Sequence, residues 1–288
     1  MSRLPELRVI DAGCVPPARS QSLWHGIASA MQPGDRPVLS FCRPAAPYVC
    51  IGLHRRLTEL DLVACSEMGL PVFRRQIGGG PVYCDSDQLF FQVTMPARGA
   101  PASVDRLYKQ LLGPAVQALR TLGLDAHLEC VNEIVVEDRK LSGTGAGRIG
   151  EAVTVVGNFI FRFPHELMAR VLALPDGARA EFLRLMRRYV SSLRAEGATV
   201  TVEEATAALV EAFAEALGAR PVPEELTADE ALAIEVWERR FAHDGWLRGP
   251  ESQPPAGRTV KVRAGVWLVV ANDGSFEVQR QVEEAIGA

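Results

Sequence analysis

Residues 74–83 read Arg74-Arg75-Gln76-Ile77-Gly78-Gly79-Gly80-Pro81-Val82-Tyr83 and lie between two segments with strand-forming composition. Three consecutive glycines cost chain entropy and supply no side chain for packing. They therefore indicate a loop whose backbone N–H groups come close to a bound molecule. The two arginines before them carry planar guanidinium groups that suit a carboxylate or phosphate. We predict a loop that wraps a small acidic ligand, and a plain turn beside two surface arginines is the alternative.

A second informative segment covers residues 132–147 and reads Asn132-Glu133-Ile134-Val135-Val136-Glu137-Asp138-Arg139-Lys140-Leu141-Ser142-Gly143-Thr144-Gly145-Ala146-Gly147. A turn at Glu137 and Asp138 would hold Lys140 at a fixed position on the return strand. One ammonium group beside backbone donors suits the charge that develops on an α-phosphate during adenylate formation. A lysine in solvent is the simpler alternative, because lysine is mostly exposed in any fold.

The composition fits a globular protein that has a sizeable core. The chain has 288 residues, of which 48% are hydrophobic and 23% are charged. Its net charge of −4 argues against a broad nucleic-acid-binding surface. All but three of the 31 basic residues are arginines, so a lysine inside a motif is notable. The three lysines are Lys109, Lys140 and Lys261.

The same sequence predicts a cytoplasmic protein with reduced thiols. Its six cysteines form no C-x-x-C pair. The segment MSRLPELRVIDAG lacks the pattern of a signal peptide, and no apolar run approaches the ~20 residues of a membrane span. The histidines considered for metal binding have no ligand spacing, so we expect no protein-held metal. They are His54, His127, His165 and His243.

Strand and helix patterns predict an α+β protein with two domains. Residues 88–94 (QLFFQVT) have strand composition, and a capping box at Thr201 and Glu204 opens a helix. Pro221 and Pro223 indicate a linker. We expect a catalytic domain at 1–220, built on a mixed β-sheet with helices packed against it. A small accessory domain follows at 221–288, with a helix near 228–241 and strands at 259–270 and 275–279.

The two glycine-rich segments also resemble those of the lipoate–protein ligase A family. RRQIGGGPVY is similar to its signature Arg-Arg-x-Ser/Thr-Gly-Gly-Gly-Ala-Val-Tyr/Phe-His-Asp, and NEIVVEDRKLSGTG to its Asn-Asp-Ile … Gly-Arg-Lys-Ile-Ser-Gly-Ser-Ala segment. RVIDAG, PYVCIG and DLVACSEMGLPVFRR match in order and spacing. The resemblance covers most of residues 7–161, and WERRFAHDGWLRG is similar to the start of the family's accessory domain. It implies a fold of the biotin/lipoate ligase type.

The resemblance further implies an ATP-dependent ligase. Such an enzyme activates lipoate or octanoate as acyl-AMP with ATP and Mg²⁺, then transfers the acyl group to a lysine of a lipoyl-acceptor protein. The acceptor would be a lipoyl domain or a GcvH-like protein, with no nucleic-acid or membrane partner. Lys140 would be catalytic. The resemblance places the remaining residues around lipoate and nucleotide: Arg74, Arg75, Gly78, Gly79, Gly80, Val82, Asn132, Ser142, Gly143, Thr144, Gly145 and Gly157.

Several positions depart from the family pattern. Ile77 replaces a hydroxyl residue, Pro81 replaces alanine, Cys84 replaces histidine, and Val155-Val156-Gly157-Asn158 replaces His-His-Gly-Thr. These changes indicate a divergent branch, such as one serving the lipoate-binding proteins of sulfur oxidation. They leave three alternatives open. The first is an ATP-independent octanoyl or lipoyl transferase with Cys84 or Cys130 as nucleophile, the second a catalytically silent lipoate-binding homologue, and the third a biotin ligase, which matches the double arginine less well.

An arginine-rich helical stretch raises the question of partner docking. Lipoyl-acceptor domains are commonly acidic, so these arginines could contact one, although a solvated arginine face is the simpler interpretation. The residues are Arg179, Arg184, Arg187, Arg188 and Arg194.

Overall fold

The computed structural model describes residues 4–249 and 257–280. These residues form fifteen strands and eight α-helices. The strands are β1 (Glu6–Val15), β2 (Val38–Pro44), β3 (Tyr48–Ile51), β4 (Val72–Arg74), β5 (Val82–Cys84), β6 (Gln88–Pro96), β7 (Ala126–Glu129), β8 (Glu133–Val136), β9 (Arg139–Ser142), β10 (Thr144–Ile149), β11 (Ala152–Ile160), β12 (Arg220–Pro223), β13 (Gly257–Arg263), β14 (Val266–Ala271) and β15 (Phe276–Arg280). The helices are α1 (Pro17–Ala30), α2 (Leu62–Glu67), α3 (Val104–Thr121), α4 (His165–Arg170), α5 (Asp176–Tyr189), α6 (Val202–Ala216), α7 (Ala228–Phe241) and α8 (Asp244–Arg248).

A six-stranded mixed sheet forms the centre of the protein, in the order β10-β11-β6-β2-β1-β12. Strand β1 runs parallel to β2 and β12, whereas the other pairs are antiparallel. Strand β6 shows why both faces are covered. Its residues Leu89, Phe91 and Val93 join the core beneath α3 and α6, and the intervening Phe90 joins the core beneath α1 and α7. Alternate residues of a strand point to opposite faces, so this apolar run fits a buried strand. The predicted α+β class with a mixed sheet is confirmed.

Three smaller sheets surround this centre. One has the order β4-β3-β5, so the glycine-rich residues 78–80 connect two strands that flank β3. Another, β7-β8-β9, carries the predicted hairpin of residues 133–142. The third, β13-β14-β15, packs its Val260 and Leu268 in one apolar cluster with α4 and α5. Three sheets thus meet where the two glycine-rich segments lie.

The segment predicted to be a linker is a strand. Residues Arg220–Pro223 form β12, which pairs in parallel with β1 at the edge of the main sheet. Proline is tolerated there because an edge strand leaves half of its backbone N–H groups unpaired. Helix α7 then packs against α1, and Glu230 of α7 makes a buried ion pair with Arg8 of β1 at 2.7 Å. These contacts join β12 and α7 to the main sheet and to α1, beyond the domain boundary that the sequence analysis placed at 220.

The C-terminal strands differ from their prediction in number. The run expected as one strand at 259–270 contains two, β13 and β14, which are joined at Ala264 and Gly265. The glycine has φ +73°, the left-handed conformation that such a tight turn favours. Asn272, Asp273 and Gly274 turn the chain into β15 as expected. Within the described residues, no helix is long and apolar enough to cross a bilayer.

Close packing at Gly157 gives a test of this arrangement. A Cβ on Gly157 in β11 would lie 2.3 Å from Cζ of the buried Phe91. We expect Gly157→Ala to lower the free energy of unfolding by about 1–3 kcal/mol, because the core must shift to admit the methyl group. Chemical denaturation measures this change. Gly99→Ala is the control, since its Cβ would meet nothing within 4 Å; equal stability of the two variants would contradict the packing described.

Candidate active site

A cavity of about 420 Å³ lies between the main sheet, the loop at residues 78–80, helices α4 and α5, and the C-terminal sheet. The structure brings ten of the thirteen predicted site residues to its wall: Arg75, Gly79, Gly80, Val82, Asn132, Lys140, Gly143, Thr144, Gly145 and Gly157. Arg74, Gly78 and Ser142 are not part of the wall. The two glycine-rich segments, which are separated by more than fifty residues in sequence, therefore face one space.

Arg75 supports the glycine loop from within. Its guanidinium donates to the carbonyl of Gly78 at 2.8 Å and to that of Gly80 at 2.9 Å. Gly79, between them, has φ +98°, and a Cβ there would lie 2.6 Å from the Arg75 Nη2. Only glycine fits this position without strain. The sequence predicted that Arg75 offers its donors to a ligand, but the structure shows several of them held by the loop.

Arg74 has a structural role in this structure. Its side chain is among the most buried in the protein. The guanidinium donates to five backbone carbonyls, those of Gly52, Leu53, Arg55, Leu247 and Arg248. A buried guanidinium must satisfy its donors in this way. Arg74 thereby ties α8 to β4, and its donors are engaged within the protein, whereas the sequence analysis expected them to face a ligand.

The hairpin that carries Lys140 forms as predicted. Glu137 adopts φ +52° at the turn between β8 and β9, and Lys140 follows on the return strand. The backbone carbonyl of Lys140 accepts from the N–H of Ser191 at 2.9 Å, which fixes the strand from its other side. The side chain is about one-fifth exposed and borders the cavity. The ammonium group is thus held at a defined position beside the glycine-lined wall.

Glu133 and Lys261 complete the site, and the sequence analysis did not select either of them. The Nζ atoms of Lys140 and Lys261 lie 3.1 and 2.9 Å from the same Glu133 Oε1. Glu133 Oε2 accepts from the N–H of Ala264 at 2.7 Å. The lysine count carried a signal for this cluster, because two of the three lysines of an arginine-rich chain meet here.

Opposing effects set the pKa of Glu133. Burial by itself raises the pKa of this carboxyl, whose side chain is 1% exposed. The positive charges of Lys140 and Lys261 and the Ala264 N–H outweigh burial and hold the pKa below its ordinary value. The carboxylate is therefore ionised at neutral pH and serves as the counter-ion of both lysines.

The second glycine-rich run is largely a strand. Residues Thr144–Ile149 form β10. Gly145 and Gly147 of this strand make room for the side chain of Ile77, because a Cβ on either glycine would lie within 2.7 Å of that side chain. The Gly143 N–H, expected as a donor to phosphate, is bonded to Asn158 Oδ1 at 2.7 Å. Asn158 in turn donates to Gln88 at 2.7 Å. The departure from the family pattern at Ile77 is therefore matched by the extra glycines of β10.

His25, which the sequence analysis did not select, lies behind the glycine loop and holds its first residues. Its Nδ1 lies 2.6 Å from the carbonyl of Gln21, so Nδ1 carries the proton and donates. Nε2 then accepts from the Gln76 N–H at 3.0 Å. Burial lowers the pKa of His25 to about 3, which keeps the ring neutral and this pattern of bonds intact.

The cysteines near the cavity differ in their surroundings. Cys50 and Cys84 border it but are fully buried, and burial raises the pKa of both thiols. Cys130 is half-buried and lies in a left-handed turn, with φ +52°, between β7 and β8. Because the thiolate is the nucleophile, burial makes Cys84 a poor candidate for that role. Cys130 is the more exposed of the two that the sequence suggested, and it adjoins the cavity wall without being part of the lining.

The arginines considered for docking are engaged within the chain. Arg184, Arg187 and Arg188 form ion pairs with Glu181, Glu166 and Asp138. Arg179 and Arg194 donate to backbone carbonyls. These contacts favour the simpler interpretation of a solvated arginine face.

Comparison with known proteins identifies the family. The model of the lipoyl protein ligase A/B catalytic domain matches residues 17–214, more than half of the chain. The chain belongs to this family. It is 32% identical over 226 residues to octanoyltransferase LipM of Kyrpidia tusciae, which covers 69% of this chain and 82% of the relative. It is 25% identical over 236 residues to lipoate-protein ligase A subunit 1 of Thermoplasma acidophilum, and this match covers 77% of this chain and 88% of the relative.

A solved structure supports the same fold. The bipartite lipoate protein ligase of Thermoplasma acidophilum, described with its E2 lipoyl domain, superposes with a TM-score of 0.78 at 23% identity and covers 88% of this chain and 99% of its own. The resemblance to the lipoate–protein ligase family and the biotin/lipoate ligase fold are therefore confirmed. The protein is an enzyme of the lipoate ligase and octanoyltransferase family.

The buried Glu133 predicts a pH-dependent stability. Its pKa is lower in the folded protein than in the unfolded chain, so its contribution is full above the unfolded value of 4.5 and is lost as pH falls through the folded value. We expect Glu133→Gln to lower the free energy of unfolding at pH 7 by about 1–3 kcal/mol. Denaturation curves should show that this difference narrows as the pH falls below 4.5.

Glu151→Gln is the control for that measurement. Glu151 pairs with Arg148 at the surface, and its side chain is 59% exposed. Exposed pairs contribute about 0.2–1 kcal/mol, so the control should change little at any pH. A Glu133→Gln deficit that stays constant from pH 7 to pH 3 would show that the carboxylate charge has no part in it.

Proposed function

We propose that this protein transfers an octanoyl or lipoyl group from an activated donor to a lysine side chain of a lipoyl-acceptor protein. The observation that carries the proposal is the position of Lys140, which borders a cavity of about 420 Å³ together with Gly79, Gly80 and Gly145. This volume lies within the about 300–1,000 Å³ of small-molecule pockets. Family membership supplies independent support.

The wall of the cavity divides into polar and apolar parts. Lys140, Lys261 and Glu133 form one charged group. Met168 of α4 and Phe182 of α5 are apolar, as expected of a surface that receives an acyl chain. In this proposal the ammonium of Lys140 stabilises negative charge on the acyl carbonyl oxygen as the transition state forms. The closed cavity limits hydrolysis of the activated acyl group.

The first candidate donor is an octanoyl thioester, and the relatives named octanoyltransferase LipM support an octanoyl group as the one transferred. In this route the thiolate of Cys130 attacks the thioester carbonyl. The carbon–sulfur bond of the donor breaks, and the donor is released as its free thiol. The acceptor lysine amine then attacks the Cys130 thioester, an amide forms, and the Cys130 thiol is released. Support comes from the half-buried position of Cys130, two residues before the cavity residue Asn132.

The second candidate is the ATP-dependent ligase that the sequence analysis expected. It is supported by the relative named lipoate-protein ligase A subunit 1 and by the charge of the cavity wall. Among the described wall residues, Glu133 is the one acid beside Arg55, Arg75, Lys140 and Lys261, an excess of positive charge that suits a phosphate. No described cluster of three acidic, histidine or cysteine side chains could hold a metal ion, so Mg²⁺ would be bound mainly by the nucleotide phosphates.

A reconstituted reaction distinguishes the two routes. The purified protein and an unmodified lipoyl domain are incubated either with an octanoyl thioester or with octanoate, ATP and Mg²⁺, and the acceptor mass is measured. Octanoylation from the thioester that is lost in Cys130→Ser would support the first route. Octanoylation that needs ATP and survives Cys130→Ser would support the second. Acceptor left unmodified by both donors would contradict acyl transfer.

Lys140→Ala tests the catalytic residue in either route. We expect the rate of acceptor modification to fall by roughly 10²–10³-fold, as when one preorganised donor to a developing charge is removed. Lys109→Ala is the matched control, because Lys109 is exposed on α3 and far in sequence from both glycine-rich segments. Full activity in Lys140→Ala would refute the assignment, provided that circular dichroism shows a folded protein.

A further inference from the structure

Lys261 belongs to the C-terminal sheet, yet it borders the cavity and its ammonium contacts the same Glu133 oxygen as that of Lys140. Resting on the ATP-dependent route of the proposed function, we propose that Lys261 and Lys140 together bind the carboxylate of a free medium-chain fatty acid, or the phosphate joined to it on activation. Lys261 exchanges its bond to Glu133 for one to the ligand, while Lys140, which has three N–H donors, keeps Glu133 and adds the ligand. Lys261 would then be a specificity-determining residue that selects an anionic acyl head group over a neutral one.

The positions of the charges carry this inference. Both ammonium groups lie within 3.1 Å of the same Glu133 oxygen. They are therefore separated by no more than about 6 Å, a distance at which like charges repel unless an anion lies between them. Glu133 supplies only one negative charge against the two positive ones. The cluster keeps a net positive charge and can accept a second anion.

The bonding of Glu133 shows how displacement can occur. Its Oε2 accepts from the Ala264 N–H, and that bond does not involve either lysine. When Lys261 turns to a ligand, Glu133 retains Ala264 and Lys140, so the buried carboxylate is not left without partners. The side chain of Lys261 is 42% exposed, compared with 21% for Lys140. Lys261 is therefore the amine with more freedom to move.

Neighbouring cations do not duplicate this role. Arg263, two residues along β13, donates to Glu129 and to the carbonyl of Asp138. Arg55 is paired with Glu59 at 2.6 Å. The ladder between β13 and β14 becomes irregular between Lys261 and Arg263, and such an irregularity redirects side chains on the bulged strand. The fold thus separates the roles of two nearby basic residues.

The apolar surroundings indicate the rest of the ligand. Trp267 of β14 lies directly across from Lys261 in the ladder, and it borders the cavity with Val260 and Phe182. A ligand that places its anion between the two lysines would therefore lay its chain on apolar side chains. A carboxylate attached to an unbranched chain fits this division, whereas a neutral ester or amide gains nothing from the second ammonium.

Calorimetric titration tests the proposal with octanoate and its neutral isostere octanamide, in the absence of nucleotide. We expect the wild-type protein to prefer octanoate. Lys261→Ala should weaken octanoate binding by roughly tenfold, the loss of about one charge-assisted hydrogen bond, and leave octanamide binding unchanged. Lys261→Arg should recover part of the affinity, and Lys109→Ala should match the wild type. A wild type that binds both compounds equally, or a Lys261→Ala variant with unaltered octanoate affinity, would overturn the proposal.

Glu133→Gln gives a second measurement, in which the affinity for octanoate should change in the opposite direction. Removing the competing negative charge should tighten octanoate binding several-fold, while loss of Lys261 weakens it. Weaker octanoate binding in a folded Glu133→Gln variant would argue that Glu133 does not compete with the ligand.

In the acylation reaction with octanoate, ATP and Mg²⁺, Lys261→Ala should raise KM for octanoate more than it lowers kcat. If the proposed acyl transfer were wrong, even the wild-type protein would leave the acceptor unmodified with every donor, so this failure is distinguishable from a failure of the Lys261 proposal. Octanoate binding that depends on Lys261 would remain measurable in that case.

Discussion

The carboxylate of Glu133 is the contact on which the arrangement of the site depends. It lies at the start of β8, almost completely buried, and accepts from a lysine of β9, a lysine of β13 and the backbone of Ala264. A buried charge of this kind is tolerated only when its partners are in place. The hairpin that carries Lys140 and the C-terminal sheet are consequently positioned by the same oxygen atoms, and the cavity between them has a defined shape.

The glycine loop is held by a second set of buried charges. Arg74 is the last residue of β4 and Arg75 follows it, so their side chains point in different directions. Arg75 fixes Gly78 and Gly80, and Arg74 fixes the turn around Gly52 together with α8. Guanidinium groups suit this purpose because several fixed donors can satisfy several carbonyls at once. The double-arginine motif, which the sequence alone suggested as an anion site, therefore also stabilises the conformation of the loop.

The sequence was informative where local pattern determines structure. The composition of residues 88–94 predicted a strand, and the turn at Glu137 placed Lys140 on its return strand, because both depend on neighbouring residues. The linker at Pro221 was wrong, since pairing of β12 with the distant β1 is not visible in local composition. The bonds of Arg74 within the fold were hidden for a similar reason: its carbonyl partners lie about twenty and about 170 residues away. Lys261 and Glu133 meet only in the folded chain.

The rarity of lysine bears on the proposed reaction, whose product is an acylated lysine. Two of the three lysines are held against Glu133 as charged ammonium groups, and a protonated amine is not a nucleophile. The third, Lys109, is exposed on α3, away from this cluster in sequence. The arginines that occupy nearly all other basic positions supply positive charge without a reactive amine. In the proposed reaction, the chain would thus offer an activated acyl group few amines of its own to modify, and the acyl group would go to the partner.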